Sequence, residues 1–276
     1  MDYLERGDGP PLLLLPGGSG HAGVLDALAA HLAAGHRVVA MSSRLASARG
    51  EQGDHHPKLY AEDTLGLIDA LFDEPPAVFG FSAGAITTLE LLARHPDRVR
   101  LAIVHEPPVL GLLPDAERHR EGLEAVRTAA RAGQPDEAAR LMTEVMTAPR
   151  PVADAPELRH PGDWLDGYAE TAPEPPTPAL LELFAQLSDL QPLFLEHILM
   201  PFATSEADLA ALGEAGPRLV PAAGIDSRGQ LPYRAAAALA TGLGLPLTEF
   251  PGGHLGPVDR PTQFAAALRA LLEDAR

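Results

Sequence analysis

A chain of 276 residues, 46% hydrophobic and 21% charged, is long enough to bury a large core and too apolar to remain disordered. Lys and Arg number 21 against 38 Asp and Glu, a formal charge of -17 with no basic run, which argues against a nucleic-acid partner. The lack of cysteine excludes disulfides, thiolate catalysis and Cys-held metals, leaving chemistry to Ser, His and carboxylates.

The first apolar run, residues 12–15, has no basic segment before it and is too short for a signal or a membrane span. A cytoplasmic protein with no membrane partner is therefore expected. That run reads as a buried strand leaving through Pro16-Gly17-Gly18-Ser19-Gly20, and an amphipathic helix is predicted over 24–33. A strand over 38–41, a helix over 60–72 and a strand over 77–81 follow, the last running through Gly80-Phe81-Ser82-Ala83-Gly84 into a helix over 85–94. The next strand, 101–104, leads into His105-Glu106-Pro107-Pro108, after which the alternation stops. Helical periods at Leu123, Val126, Ala130 and at Ala138, Leu141, Met142, Val145 mark residues 111–205 as a helical cap inserted into a core of residues 1–110 and 206–276. Eight prolines between 149 and 178 exclude a long helix there and predict a mobile connector. Strands at 219–223 and 245–250 and a helix over 262–274 complete an α/β pattern. Apolar runs that are continuous rather than alternating suit a doubly wound, mostly parallel sheet covered on both faces.

Four segments carry the candidate chemistry. Gly-x-Ser-x-Gly between a strand and a helix is a nucleophile elbow: a sharp turn exposes the Ser82 hydroxyl at a helix start, and the glycines remove Cβ atoms that would strike neighbouring backbone. Chance gives this pattern about 0.07 times in a chain of this composition, so its strand-to-helix setting adds much of its weight. The backbone N–H groups of Gly18 and Ala83 are the candidate donors to a developing oxyanion. His254, flanked by Gly252-Gly253 and Gly256 after the last strand, is the candidate base. Most of the other histidines, such as His31, His95, His119 and His160, read as solvated, His105 beside Glu106 is a candidate for the pocket or a mimic of the base, and the pair His55-His56 lacks metal-site spacing.

Two carboxylates compete to orient His254. Asp226, in Gly224-Ile225-Asp226 at the end of the strand before the His-bearing one, is the expected acid because a short Asp is the commoner partner of imidazole. Glu106, beside His105, is the alternative acid or a pocket wall, on an exit stiffened by two prolines.

Together, and in this chain order, the segments resemble the α/β-hydrolase fold of esterases, lipases and cofactor-free peroxidases over nearly the whole length. Many relatives carry His-Gly where this chain has Pro16-Gly17-Gly18, so only the backbone donors carry over. The resemblance implies a triad of Ser82, His254 and Asp226, an oxyanion hole at Gly18 and Ala83, and no metal or organic cofactor. It implies a serine hydrolase acting on an ester, thioester or lactone of a small to medium apolar molecule through an acyl-enzyme. A serine at the elbow disfavours the carboxylate-nucleophile branches. A cofactor-free peroxidase, a lyase, a C–C hydrolase and a binding protein without turnover remain alternatives on the same fold. The cap aromatics Trp164, Tyr168, Phe184 and Phe194 are candidates to shape the pocket.

Overall fold

The computed structural model describes residues 2–47, 55–152 and 155–274; the remaining positions of the expected core and of the proline-rich connector lie outside the described residues. The six apolar runs form β2 (Pro11–Leu15), β3 (Arg37–Met41), β4 (Ala77–Phe81), β5 (Leu101–His105), β7 (Leu219–Gly224) and β8 (Leu247–Phe250). Two further strands, β1 (Tyr3–Arg6) and β6 (Leu158–Arg159), complete the sheet in the order β1-β3-β2-β4-β5-β7-β8-β6. β1 is an edge strand exposed at every residue and the only antiparallel member among those described. β6 lies within the insertion that was expected to hold no strand, and pairs in parallel with β8.

Both faces of the parallel strands are covered, which is why their apolar runs do not alternate. Leu13 and Val78 face helices Pro57–Leu71 and Ala83–Arg94, packing with Ile68, Ile86 and Leu89. Leu12, Leu14 and Phe79 face helices Asp26–Leu32 and Pro261–Asp274, packing with Leu28, Phe264 and Leu268. Each fully buried Leu contributes about 1.5–3 kcal/mol.

Between β5 and β7 the chain forms helices Ala116–Arg131, Pro135–Thr147 and Pro178–Leu187, and among the described residues between 149 and 177 only the four-residue helix Pro161–Trp164. Helices Ala116–Arg131 and Pro135–Thr147 pack with residues 195–203 in a separate apolar cluster built on Leu123, Val126, Leu195 and Leu199, which Leu231 of the core also joins. Asp115 binds Arg234 of helix Leu231–Leu243 at 2.7 Å, joining this region to the rest. His119, expected to be solvated, is buried against that pair, its Nε2 3.2 Å from the Arg234 guanidinium. Among the described residues, no helix is long and apolar enough to cross a membrane.

Candidate active site

Because β2, β4, β5, β7 and β8 run in parallel, their carboxyl ends gather at one edge of the sheet, and the candidate residues leave from those ends. Ser82 directly follows β4 with φ 54° and ψ -121°, and helix Ala83–Arg94 begins at the next residue. The elbow depends on both glycines: a Cβ on Gly80 would lie 2.4 Å from the Gly84 carbonyl oxygen, and one on Gly84 would lie 2.3 Å from that of Leu15. Among the described non-glycine residues only Ser82 and Glu106 have positive φ, 54° and 51°. Both sit where a strand ends in the site, and backbone strain of this kind marks positions held for function.

His254 stands in the loop after β8, its Nε2 3.1 Å from Ser82 Oγ and its Nδ1 2.8 Å from Glu106 Oε2. Glu106 is fully buried and its Oε1 accepts hydrogen bonds from the Gly224 N–H at 2.8 Å and from the Ser227 hydroxyl. Burial alone would raise the Glu106 pKa, but the His254 hydrogen bond, electrostatic interaction with the neighbouring His105 and His254 rings and the Ser227 hydroxyl outweigh it and hold the carboxyl below its ordinary value. An ionised carboxylate only accepts, so the Nδ1 proton stays on His254 and Nε2 is left to accept from Ser82.

Asp226 does not occupy the place expected of it. After Gly224 the chain makes a short 3-10 turn, Ile225–Ser227, which turns Ser227 inward to Glu106 and Asp226 outward. The Asp226 carboxylate pairs with Arg260 at 2.7 Å and its side chain is 39% exposed. Gly224 explains how Glu106, one strand further away, reaches His254. A Cβ there would lie 2.5 Å from the Gly252 carbonyl oxygen and 2.6 Å from Gly253, so the bare glycine lets the His254 loop fold across the end of β7 toward β5.

His105, the neighbour of Glu106, does not act in the exposed face of the site. Its ring is buried among Phe79, Phe250 and Phe264, and its Nε2 lies 3.3 Å from the Gly253 carbonyl oxygen. Burial lowers its pKa to about 4, so at neutral pH the ring is uncharged and donates from Nε2 to the loop that carries His254.

Gly17 and Gly18 leave β2 beside the elbow, and a Cβ on Gly17 would lie 3.2 Å from that of Ser82. Among the described residues no acceptor pairs with the N–H of Gly18 or Ala83, which leaves both free to donate. The cap aromatics separate into two groups. Trp164 packs on Phe250, 5.8 Å between ring centres, and Tyr168 on His160; Phe184 and Phe194 line a cavity that opens at Gly18. Ser227 and Gly224 were not singled out by sequence; a glycine ending a strand beside a second Gly-rich loop is the signal that marks the crossing point.

Residues 12–267 match the model of a family described as the alpha/beta hydrolase family. An uncharacterized hydrolase of Bacillus subtilis (strain 168), YraK, is 28% identical over 285 aligned residues, covering 99% of this chain and 92% of that protein. A zearalenone hydrolase of Bionectria ochroleuca is 34% identical over 117 residues, 38% of this chain and 42% of that one. Among solved structures, a thermophilic esterase from Thermogutta terrifontis superposes with a TM-score of 0.72 at 18% identity, covering 99% of this chain and 93% of the esterase.

Proposed function

Since this chain belongs to the alpha/beta hydrolase family, we propose that it is a serine hydrolase that cleaves an ester, thioester or lactone of a small to medium apolar molecule, with Ser82 as nucleophile, His254 as general base and acid, and Glu106 as the orienting carboxylate. The observation that carries this reading is the unbroken line of hydrogen bonds from Ser82 Oγ through His254 to Glu106. Ser82 Oγ attacks the carbonyl carbon while its proton passes to His254 Nε2, and the buried Glu106 carboxylate stabilises the imidazolium that results. The N–H groups of Gly18 and Ala83 bind the oxyanion, each worth about 2.7–4 kcal/mol in the transition state. Collapse of the tetrahedral intermediate breaks the bond to the leaving oxygen or sulfur, which takes the proton from His254. Water, deprotonated by the same imidazole, then attacks the acyl-Ser82 ester, and the acid product departs as the Ser82 hydroxyl reforms. Residues 111–205 act as the cap over this site. The names hydrolase and esterase among its relatives point the same way.

A fluorophosphonate probe combined with a panel of esters and thioesters tests the reading. The wild-type protein should be labelled and turn over at least one member of the panel, and Ser82→Ala should lose both while keeping its circular dichroism spectrum. Turnover retained in folded Ser82→Ala overturns the assignment.

A further inference from the structure

Two cavities of very different size meet at Gly18. One, of about 30 Å³, is walled by Gly17, Gly18, Ala83, Tyr60, Ile198 and Phe202, and has room for a few water-sized groups. The other, of about 370 Å³, is lined by Gly18, Phe184, Leu187, Leu190 and Phe194. Between them runs a single π-helical turn, Phe194–Ile198, which sends Phe194 to the wide cavity and Ile198 to the narrow one. Such turns interrupt α-helices frequently at functional sites. The Phe194 ring lies directly against Gly18: a Cβ on that glycine would come within 2.6 Å of it. Phe194 packs both on the main core cluster and on the cluster of the cap, so the ring is braced from two sides.

The wide cavity is bordered by partly exposed apolar side chains. Helix Pro178–Leu187 has no buried residue; its Phe184 and Leu187 line the wide cavity, with Phe184 43% exposed, while Leu180 and Leu183 are partly covered beside Gly23 and Leu181 is 54% exposed. Apolar surface concentrated beside a cavity is the signature of a ligand site.

We propose that Phe194 partitions the substrate, admitting a compact acyl group, acetyl to propionyl in size, to the narrow cavity and a bulky, flat apolar leaving group to the wide one. The inference rests on the reading of Ser82 as nucleophile. The acyl group belongs to the narrow side because that cavity is walled by both oxyanion donors and the start of the nucleophile helix, whereas the leaving group must depart past the cap.

The test uses 1-naphthyl acetate, butanoate and octanoate. In the wild-type protein kcat/KM should fall by at least about 100-fold from acetate to octanoate, because exclusion of even two of the six added methylenes, at about tenfold each, amounts to that much. Phe194→Ala should bring the two within about tenfold of each other while fluorophosphonate labelling of Ser82 continues, and Phe194→Leu serves if the alanine variant does not fold. Octanoate hydrolysed as fast as acetate by the wild type, or a chain-length profile unchanged in labelled Phe194→Ala, overturns the partition. Binding of 1-naphthol, followed by calorimetry, needs no turnover, and Leu187→Trp, which fills the wide cavity, should weaken it at least about tenfold. Naphthol binding insensitive to Leu187→Trp also overturns the partition. Naphthol binding lost in Leu187→Trp together with absence of both labelling and hydrolysis in the wild type instead overturns the reading of Ser82.

Discussion

Replacing Glu106 by Gln keeps the size of the side chain and removes one charge from a fully buried site. The glutamine oxygen still accepts from the Gly224 N–H, which now lies 2.8 Å from Oε1, and from the Ser227 hydroxyl. That anchoring leaves the amide nitrogen facing His254 Nδ1, where Glu106 Oε2 now sits at 2.8 Å. Donor then opposes donor, so the imidazole is driven to the tautomer with its proton on Nε2, which no longer accepts from Ser82. Loss of the tautomer and of the charge opposite the imidazolium should lower kcat by about 10³–10⁴, or about 4–5.5 kcal/mol. Asp226→Asn, by contrast, weakens a partly exposed ion pair with Arg260 and should change kcat by less than about threefold. Both variants are assayed with saturating 1-naphthyl acetate and checked for native circular dichroism. Folded Glu106→Gln within about tenfold of wild type, or a larger loss in Asp226→Asn, refutes the assignment of Glu106.

Acid should destabilise the fold in two windows. His105 has an ordinary pKa of 6.5 when unfolded and about 4 when buried, so the unfolded chain binds the extra proton first and stability falls from pH 6.5 to about 4, by about 3 kcal/mol in urea titrations; His105→Phe should flatten that window. Glu106, whose pKa is depressed on folding, stabilises above its ordinary 4.5 and loses that contribution as pH falls further. Gly84→Ala puts a Cβ 2.3 Å from the Leu15 carbonyl oxygen and should cost about 1–3 kcal/mol of stability, read from the urea midpoint, with loss of Ser82 labelling. Gly224→Ala forces the Gly252-Gly253 backbone off the end of β7, where the Cβ would lie 2.5 Å from the Gly252 oxygen. Its labelling rate should fall at least about tenfold as His254 withdraws, while circular dichroism stays native.

Much of the fold is legible because burial on both faces writes each central strand as a continuous apolar run: Leu12 to Leu15 are all buried. β1 escapes that logic, since its four residues are exposed and are held by pairing with β3 and by the Arg6–Asp26 ion pair rather than by burial. β6 is two residues long and carries no periodicity to detect. The juxtaposition of Ser82 and His254, the proposed nucleophile and base, was legible from local backbone demands, glycines at fixed offsets from each. The carboxylate that bonds His254 was not, because its identity depends on how far the His254 loop crosses β7, and on the turn at Ile225–Ser227 that aims Ser227 inward and Asp226 at Arg260. Those are three-dimensional facts that the chain order Ser, Asp, His leaves open. Glu106 did carry a local mark, a lone carboxylate at a strand end ahead of two prolines.

Rapid acid quench of the protein with 1-naphthyl acetate, followed by peptide mass spectrometry, addresses the acyl-enzyme directly. One acetyl group should accumulate within the first turnover on the peptide containing Ser82, and more of it in Glu106→Gln if deacylation is the slower half-reaction there. Naphthol released at the wild-type rate with no acetyl on Ser82, or with the acetyl on another residue, would contradict nucleophilic catalysis by Ser82.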